Sequence, residues 1–490
     1  MRAPGRAWPG LVVLVLALAA GSGGCAIPRN GVPVGPDVPV THVVTAAGPL
    51  EIRERYYPGQ GTIRHAVATG QPSRRRPPPK RPDGSVGYDL LALSGGGSNG
   101  AFGAGVLCGW TKAGTRPTFQ IVTGVSAGSL LSSFAFAGPQ FDDRLHALFT
   151  TMSNDQVFER NNLLRLPWSD SLARTEPLAE LIRFQVDSQL LAAVAQGDRE
   201  GRRLYVGTTH LDHKRLIIWD MGSIASSGHP GAAELYARVL LASSSIPVVF
   251  NPVEFQVRAG GQLHSELHVD GGARSQVFLR SVLVKNLDPA ASAQGGSTLD
   301  ESEPDPVPEP APPPVAGTAI RRIANLTGTR LYVLVNGKLQ ADPTVTKRVL
   351  LPIASQSLSA LMYAKSSADI LRLYYLATAT GMDYRLIAIP QDARNVPPSA
   401  EFDTARMTAI FQLGDAMARS DSSWARAPRG LDENEFPGYD RDVAPPTAPA
   451  ARRPDRDADS DRDTMTTRAG WKPTPAAQEG RRKTEPAVDP

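Results

Sequence analysis

Gly124-Val125-Ser126-Ala127-Gly128 places one hydroxyl on a tight turn directly after the apolar run Phe119 to Thr123. A serine on a G-x-S-x-G elbow is held in a strained backbone conformation, with the positive end of the following helix behind it. Gly124 and Gly128 flank it because side chains two residues either side would collide. Such a serine is suited to attack a carbonyl, and the oxyanion so formed needs hydrogen-bond donors. Gly95-Gly96-Gly97 follows the apolar run Leu90 to Leu93 and can expose consecutive amides, since glycine permits positive φ and close ligand approach. Nucleophile and donor loop together imply acyl-ester hydrolysis.

A serine hydroxyl also needs a base. The usual one is a histidine held by an acid, and a chain with eight histidines does not lack candidates. A triad in the order Ser, acid, His would have to end at His264 or His268. The alternative is a dyad in which Asp270, in Asp270-Gly271-Gly272 after the short strand Leu267 to Val269, accepts the serine proton directly. A carboxylate becomes an adequate base where burial raises its pKa and the oxyanion is stabilised independently. The residues alone leave both open. Gly95-x-Gly97-x-x-Gly100 also spells a dinucleotide fingerprint, but that fold wants an acid at the end of the next strand, and Thr115 to Val122 contains none. No Lys-Ser/Thr follows to make a P-loop.

Other chemistry-bearing residues read as structural. His210, Asp212 and His213 have ligand types but fall in a hairpin turn, where they are expected to be solvated. Asp142, Asp143 and His146 have the spacing of a helix surface. Cys108, Trp110, Phe134, Phe136 and Phe149 read as core. Ser243-Ser244-Ser245 could line a cleft, though helix capping explains them equally well. No metal or organic cofactor is expected.

Alternating elements must carry these residues. Tyr88 to Leu93 and Phe119 to Thr123 read as strands, with helices over Ala101 to Ala113 and Ser126 to Ala137. A helix over Pro177 to Ala195 follows, then strands Arg203 to Thr209 and Arg215 to Asp220, a helix Ala232 to Ser243 and an extended segment Val248 to Val257. Arg330 to Val335, Ser357 to Thr380, Tyr384 to Ile389 and Asp403 to Arg419 continue as strand, helix, strand, helix. Such alternation implies a mostly parallel sheet with right-handed crossovers. No internal repeat is visible.

The 490 residues include 43 Pro and 45 Gly, many in stretches that read as linker or tail, which argues for one folded domain rather than two or three. Net charge is only +4, so nothing points to nucleic acid. Arg2 and Arg6 precede the apolar run Leu11 to Ala20, a signal-peptide pattern too short to span a bilayer. Small residues before Cys25 resemble a lipobox, with Ser22 where Leu is usual. Lipidated Cys25 would make an exported, membrane-anchored lipoprotein, facing the periplasm or outer membrane in a Gram-negative cell. The remaining cysteine, Cys108, could then form no intramolecular disulfide. Residues 26–86 read as a Pro-rich tether, with Arg74-Arg75-Arg76 and Lys80-Arg81 solvated. Residues 87–420 read as the catalytic domain, 287–316 as a disordered Pro/acid-rich insertion and 421–490 as a disordered tail.

The ordered set Gly95-Gly96-Gly97-Ser98-Asn99-Gly100, Gly124-Val125-Ser126-Ala127-Gly128 and Asp270-Gly271-Gly272 resembles the patatin-like phospholipases. The resemblance covers roughly residues 88–280. It implies an α/β/α sandwich with a mostly parallel central sheet, and a Ser-Asp dyad of Ser126 and Asp270. It also implies an oxyanion hole lined by Gly95, Gly96 and Gly97, and a phospholipid or other acyl-ester lipid as substrate. Many members carry Arg or Lys at the end of the glycine motif or just beyond it. Here Gly100 is followed by Ala101-Phe102, so neutral lipids and simple esters stay open. The competing readings are a non-catalytic lipid-binding lipoprotein on the same fold and a Ser-His-Asp esterase.

Overall fold

A computed structural model describes residues 40–51, 55–56, 78–81, 84–160, 171, 173–279 and 326–428. The leader with Cys25, the Pro/acid-rich segment 287–316 and the tail beyond residue 428 lie outside them. Of two compact units, Met1–Gly430 and Leu431–Pro490, everything described belongs to the first. Among the described residues no helix is long and apolar enough to cross a membrane.

The chain runs β1 (Val40–Thr45), β2 (Gly48–Glu51), β3 (Arg55–Tyr56), β4 (Asp89–Leu93), α1 (Gly100–Lys112), β5 (Ile121–Val125), α2 (Ala127–Ala137), α3 (Asp142–Thr151) and α4 (Asn154–Val157). It continues through β6 (Glu159–Arg160), β7 (Ala173–Arg174), α5 (Glu176–Gln185), α6 (Ser188–Arg199), β8 (Arg203–His210), β9 (Arg215–Asp220), α7 (Met221–Ser226) and α8 (Ala232–Ser244). Last come β10 (Val253–Ala259), β11 (Gln262–Asp270), β12 (Arg330–Lys338), α9 (Leu350–Thr380), β13 (Asp383–Ile389) and α10 (Thr404–Ala418).

One mixed sheet dominates, in the order β13-β12-β4-β5-β8-β11-β10-β1-β2. The ladders from β13 to β8 are parallel, and those from β8 through β11, β10 and β1 to β2 are antiparallel. The parallel strands are apolar on both faces, as strands covered on both sides must be. Leu91, Leu93, Val122, Leu204 and Val206 face one core, with α1, α2 and α8. Leu90, Ala92, Ile121, Val125 and Tyr205 face the other, where Ile370, Leu373 and Ala377 of α9 cover them. Helices on both faces of a mostly parallel centre make the expected α/β/α sandwich.

Several boundaries and placements differ from the sequence reading. Residues 40–51 are not tether: β1 and β2 extend the sheet, and Val43 and Leu50 are buried in its core. Arg81, expected in a solvated basic run, is buried, and its Nε lies 2.8 Å from Asp89 Oδ2. The domain also passes residue 420. Trp424 is buried, with ring centroids 4.7 Å from Trp110 and 5.1 Å from Tyr332. The helix expected over Pro177 to Ala195 is two helices, because the Asp187 side chain caps α6 by accepting the Leu190 amide at 2.9 Å. Asp142 is not a free surface acid either, since Arg116 Nη1 lies 2.8 Å from its carboxylate.

Candidate active site

Strand β8 brings the serine and the aspartate together. One of its edges carries β9, paired from Tyr205 to His210. The other is shared by two strands end to end. β5 runs parallel along Arg203 to Gly207, and β11 runs antiparallel along Thr208 to His210. The two therefore point at each other, and their C-terminal ends meet where Val125 pairs with Gly207 and Asp270 pairs with Thr208. Ser126 follows Val125 directly, which brings its hydroxyl beside the Asp270 carboxylate.

Ser126 has φ 55° and ψ −128°, one of few non-glycine residues at positive φ. Such a conformation costs about 1–3 kcal/mol and persists only where its surroundings enforce it. One constraint is the missing side chain at Gly128, whose Cβ would sit 2.4 Å from the Ser94 carbonyl oxygen, so the elbow lies directly on the glycine loop. Another is Ser243, at the end of α8. Its Oγ accepts the Ser126 amide at 3.0 Å and donates to the Gly207 carbonyl at 2.7 Å. Sequence alone leaves Ser243 between cleft and cap. It is a buried brace under the elbow, and no local pattern distinguishes it from Ser244 or Ser245.

Asp270 is itself held. Its amide donates to the Ser245 carbonyl at 2.8 Å, and its Oδ1 accepts the Gly272 amide at 2.7 Å. Burial pushes its carboxyl up to about 6, while the nearby Ser126 hydroxyl and the hydrogen bond from the Gly272 amide pull the other way. A carboxylate in that range is ionised at neutral pH yet basic enough to take a proton.

The glycine loop stands against the serine. A Cβ on Gly95 would lie 3.1 Å from Ser126 Cβ, so glycine leaves the nucleophile room. The Gly95 amide, expected to be one of the oxyanion donors, is used otherwise: it donates to the Gln276 carbonyl at 3.0 Å. The amides of Gly96 and Gly97 donate to no other described residue. Gly97 has φ 56°, and a Cβ there would fall 1.8 Å from the Ser399 carbonyl oxygen. The loop is fastened by residues far away in sequence. Asn336 donates its amide to Ser94 Oγ and its Nδ2 to the Ser94 carbonyl, both at 2.8 Å. The Ser98 amide donates to Ser399 O at 3.0 Å. Behind Gln276, its own amide donates to Asp369 Oδ2 on α9 at 2.8 Å.

The two histidines that could complete a triad lie elsewhere. Both ring nitrogens of His268 are occupied, Nδ1 by Thr208 Oγ1 at 2.8 Å and Nε2 by Glu266 Oε2 at 3.1 Å. His264 is six residues from Asp270 along β11, roughly 20 Å at strand rise. Cys108 is buried, its thiol pushed up to about 12 by burial, as a core residue rather than a nucleophile. Trp110, Phe134, Phe136 and Phe149 all sit in the core. His210, expected in a solvated turn, is instead the fully buried last residue of β8.

The Patatin-like phospholipase family model matches residues 91–283, a span that contains the glycine loop, the serine elbow and Asp270. A comparison with curated proteins returns no match. Among solved structures, VipD from Legionella pneumophila is 11% identical, with 73% of this chain and 72% of that chain covered at a TM-score of 0.30. The type III effector ExoU is 12% identical, with 70% and 55% covered at a TM-score of 0.23. ExoU in its complex with SpcU from Pseudomonas aeruginosa is 14% identical, with 80% and 59% covered at a TM-score of 0.18. TM-scores this low leave those three likenesses without bearing on the site. The sequence match identifies residues 91–283 as a patatin-like phospholipase domain, and the α/β/α sandwich built around it is the fold expected of one.

Proposed function

We propose that the protein is a serine acyl hydrolase acting on lipid esters through a Ser126–Asp270 dyad. The observation that carries this reading is the Ser126 hydroxyl, at a strained elbow, set beside a buried carboxylate of raised basicity. Ser126 Oγ attacks the ester carbonyl carbon while Asp270 takes its proton. The tetrahedral oxyanion rests on the amides of Gly96 and Gly97, with the start of α2 adding its positive end. Collapse expels the alcohol, which takes the proton back from Asp270, and leaves an acyl-serine. Water, deprotonated by Asp270, then releases the fatty acid.

Ala101 and Phe102, which follow the glycine motif, are buried and uncharged. That favours recognition through the acyl chain and ester over recognition of a phosphate at this end of the site. The leader and Cys25 support an exported enzyme held at a membrane by a lipid anchor, its substrate within reach in the same bilayer. Conversion of Cys25→Ser should release the protein from the membrane fraction, and unchanged fractionation would remove the anchor.

The test is fatty-acid release from phospholipids, triacylglycerols and short p-nitrophenyl esters, together with labelling by a fluorophosphonate. Wild type should release acid and take the label at Ser126, and Ser126→Ala should do neither. Full activity in Ser126→Ala would end the proposal. A folded wild type that neither hydrolyses any ester nor takes the label would make this a lipid-binding protein.

A further inference from the structure

The geometry points to a structural zinc site between β8 and β11, formed by His210, Glu266 and His268. His210 and His268 are direct partners across the ladder, and Glu266 lies two residues before His268 on the same face. All three side chains are fully buried. One donor atom from each lies within 4.8 Å of the others. Glu266 bridges the two rings, with Oε2 3.1 Å from His268 Nε2 and Oε1 3.7 Å from His210 Nε2. A tetrahedral zinc with bonds of about 2.1 Å holds its donors about 3.4 Å apart, a spacing those two distances bracket.

Two further observations point at a cation. His210 Nε2 is buried with no hydrogen-bond partner among the described residues, and Glu266 Oε1 at 3.7 Å is beyond bonding range. His268 is oriented as metal-bound imidazoles are. Its Nδ1 meets Thr208 Oγ1 at 2.8 Å, and Thr208 in turn accepts the Trp219 Nε1 proton at 2.8 Å, so Nε2 is left facing the cluster. On His210, Nδ1 meets the His213 amide at 3.4 Å, so Nε2 is the nitrogen turned toward Glu266. Phe255 and Trp219 wall the cluster, with ring centroids 4.9 Å and 5.7 Å from His268. A buried carboxylate in such surroundings gains from a divalent partner.

The role is structural. Asp270 pairs with Thr208 two positions along from the His210–His268 pair. A cation there fastens β11 to the end of β8 and holds the strand that carries Asp270. It touches neither Ser126 nor a bound ester.

The test uses the full chain, stripped with a chelator, equilibrated with zinc sulfate and freed of excess by gel filtration, with metal content read by mass spectrometry. Wild type should retain close to one zinc per chain and melt at a higher temperature with zinc than without. Glu266→Gln keeps the side-chain volume and the contact with His268, and His210→Asn is the second variant. Each should bind zinc at least about 100-fold more weakly, since losing a ligand outweighs losing a supporting group. Zinc should then leave their melting unchanged. A folded wild type that retains almost no zinc, or a Glu266→Gln variant that binds it like wild type, would overturn the site.

Discussion

Replacing Ser243 with alanine takes one oxygen from beneath the nucleophile. That oxygen accepts the Ser126 amide at 3.0 Å and donates to the Gly207 carbonyl at 2.7 Å, at a position with no solvent exposure. An alanine methyl can do neither, and water is excluded. A buried amide left without an acceptor costs about 1–3 kcal/mol, and the lost bond to Gly207 adds about 1 kcal/mol, so the fold should weaken by about 2–4 kcal/mol. The same loss frees Ser126 to relax from φ 55° toward ordinary backbone, which draws its hydroxyl away from Asp270. A displacement near 1 Å at a nucleophile costs on the order of 100-fold in rate, so kcat should fall about 10–100-fold with KM little changed. Urea denaturation followed by circular dichroism gives the stability, and p-nitrophenyl ester hydrolysis gives the rate. Ser243→Cys, with a weaker acceptor of similar shape, should fall between. An alanine variant within about 0.5 kcal/mol of wild type and with unchanged kcat would refute the brace, since that is the range of a surface substitution.

Three further perturbations test particular contacts. Asp270 keeps its proton to about 6 in the folded chain but ionises near 4 when unfolded, so stability should fall as pH rises between those values, by about 3 kcal/mol in all. In chelator-treated protein, kcat/KM should rise through the same upper pKa. Asp270→Asn should lack the stability slope and lose activity, and an identical slope in that variant would assign the fall to other groups. Truncation after Ser420 removes Trp424 from its place against Trp110 and Tyr332, which should destabilise the domain by about 3–5 kcal/mol in urea melts. An unchanged midpoint would return the boundary to residue 420. Arg81→Met leaves Asp89 buried without its guanidinium and should cost about 3–5 kcal/mol, whereas a tether residue would cost nothing measurable.

Local features make much of this protein legible in the order of its residues. A glycine elbow after an apolar strand announces itself because its steric demands fall on neighbouring residues: Ser126 needs Gly124 and Gly128, and nothing distant is required to see that. The parallel strands are visible as continuous apolar runs, since both faces of Leu90 to Leu93 are covered by helices. Asp270 stands out through the two glycines after it.

The rest depends on where strands end in space. Nothing in the sequence says that β5 and β11 share one edge of β8 and meet tip to tip, yet that meeting joins Ser126 to Asp270 and leaves His264 far along the strand. Ser243, Gln276 and Asn336 brace the elbow and the glycine loop through contacts with no fixed spacing. Gly95 reads as a donor until its amide is seen on the Gln276 carbonyl. His210, Glu266 and His268 come together only once two antiparallel strands choose their register. Residues 40–51 look like linker because their few apolar side chains are too sparse for a pattern. They gain structure only from an open sheet edge on β10, built by residues far later in the chain. Sequence determines what lies within a turn or two of a residue, where sterics and periodicity act. Tertiary structure alone decides which distant backbone groups must satisfy one another, because that follows from packing the whole sheet.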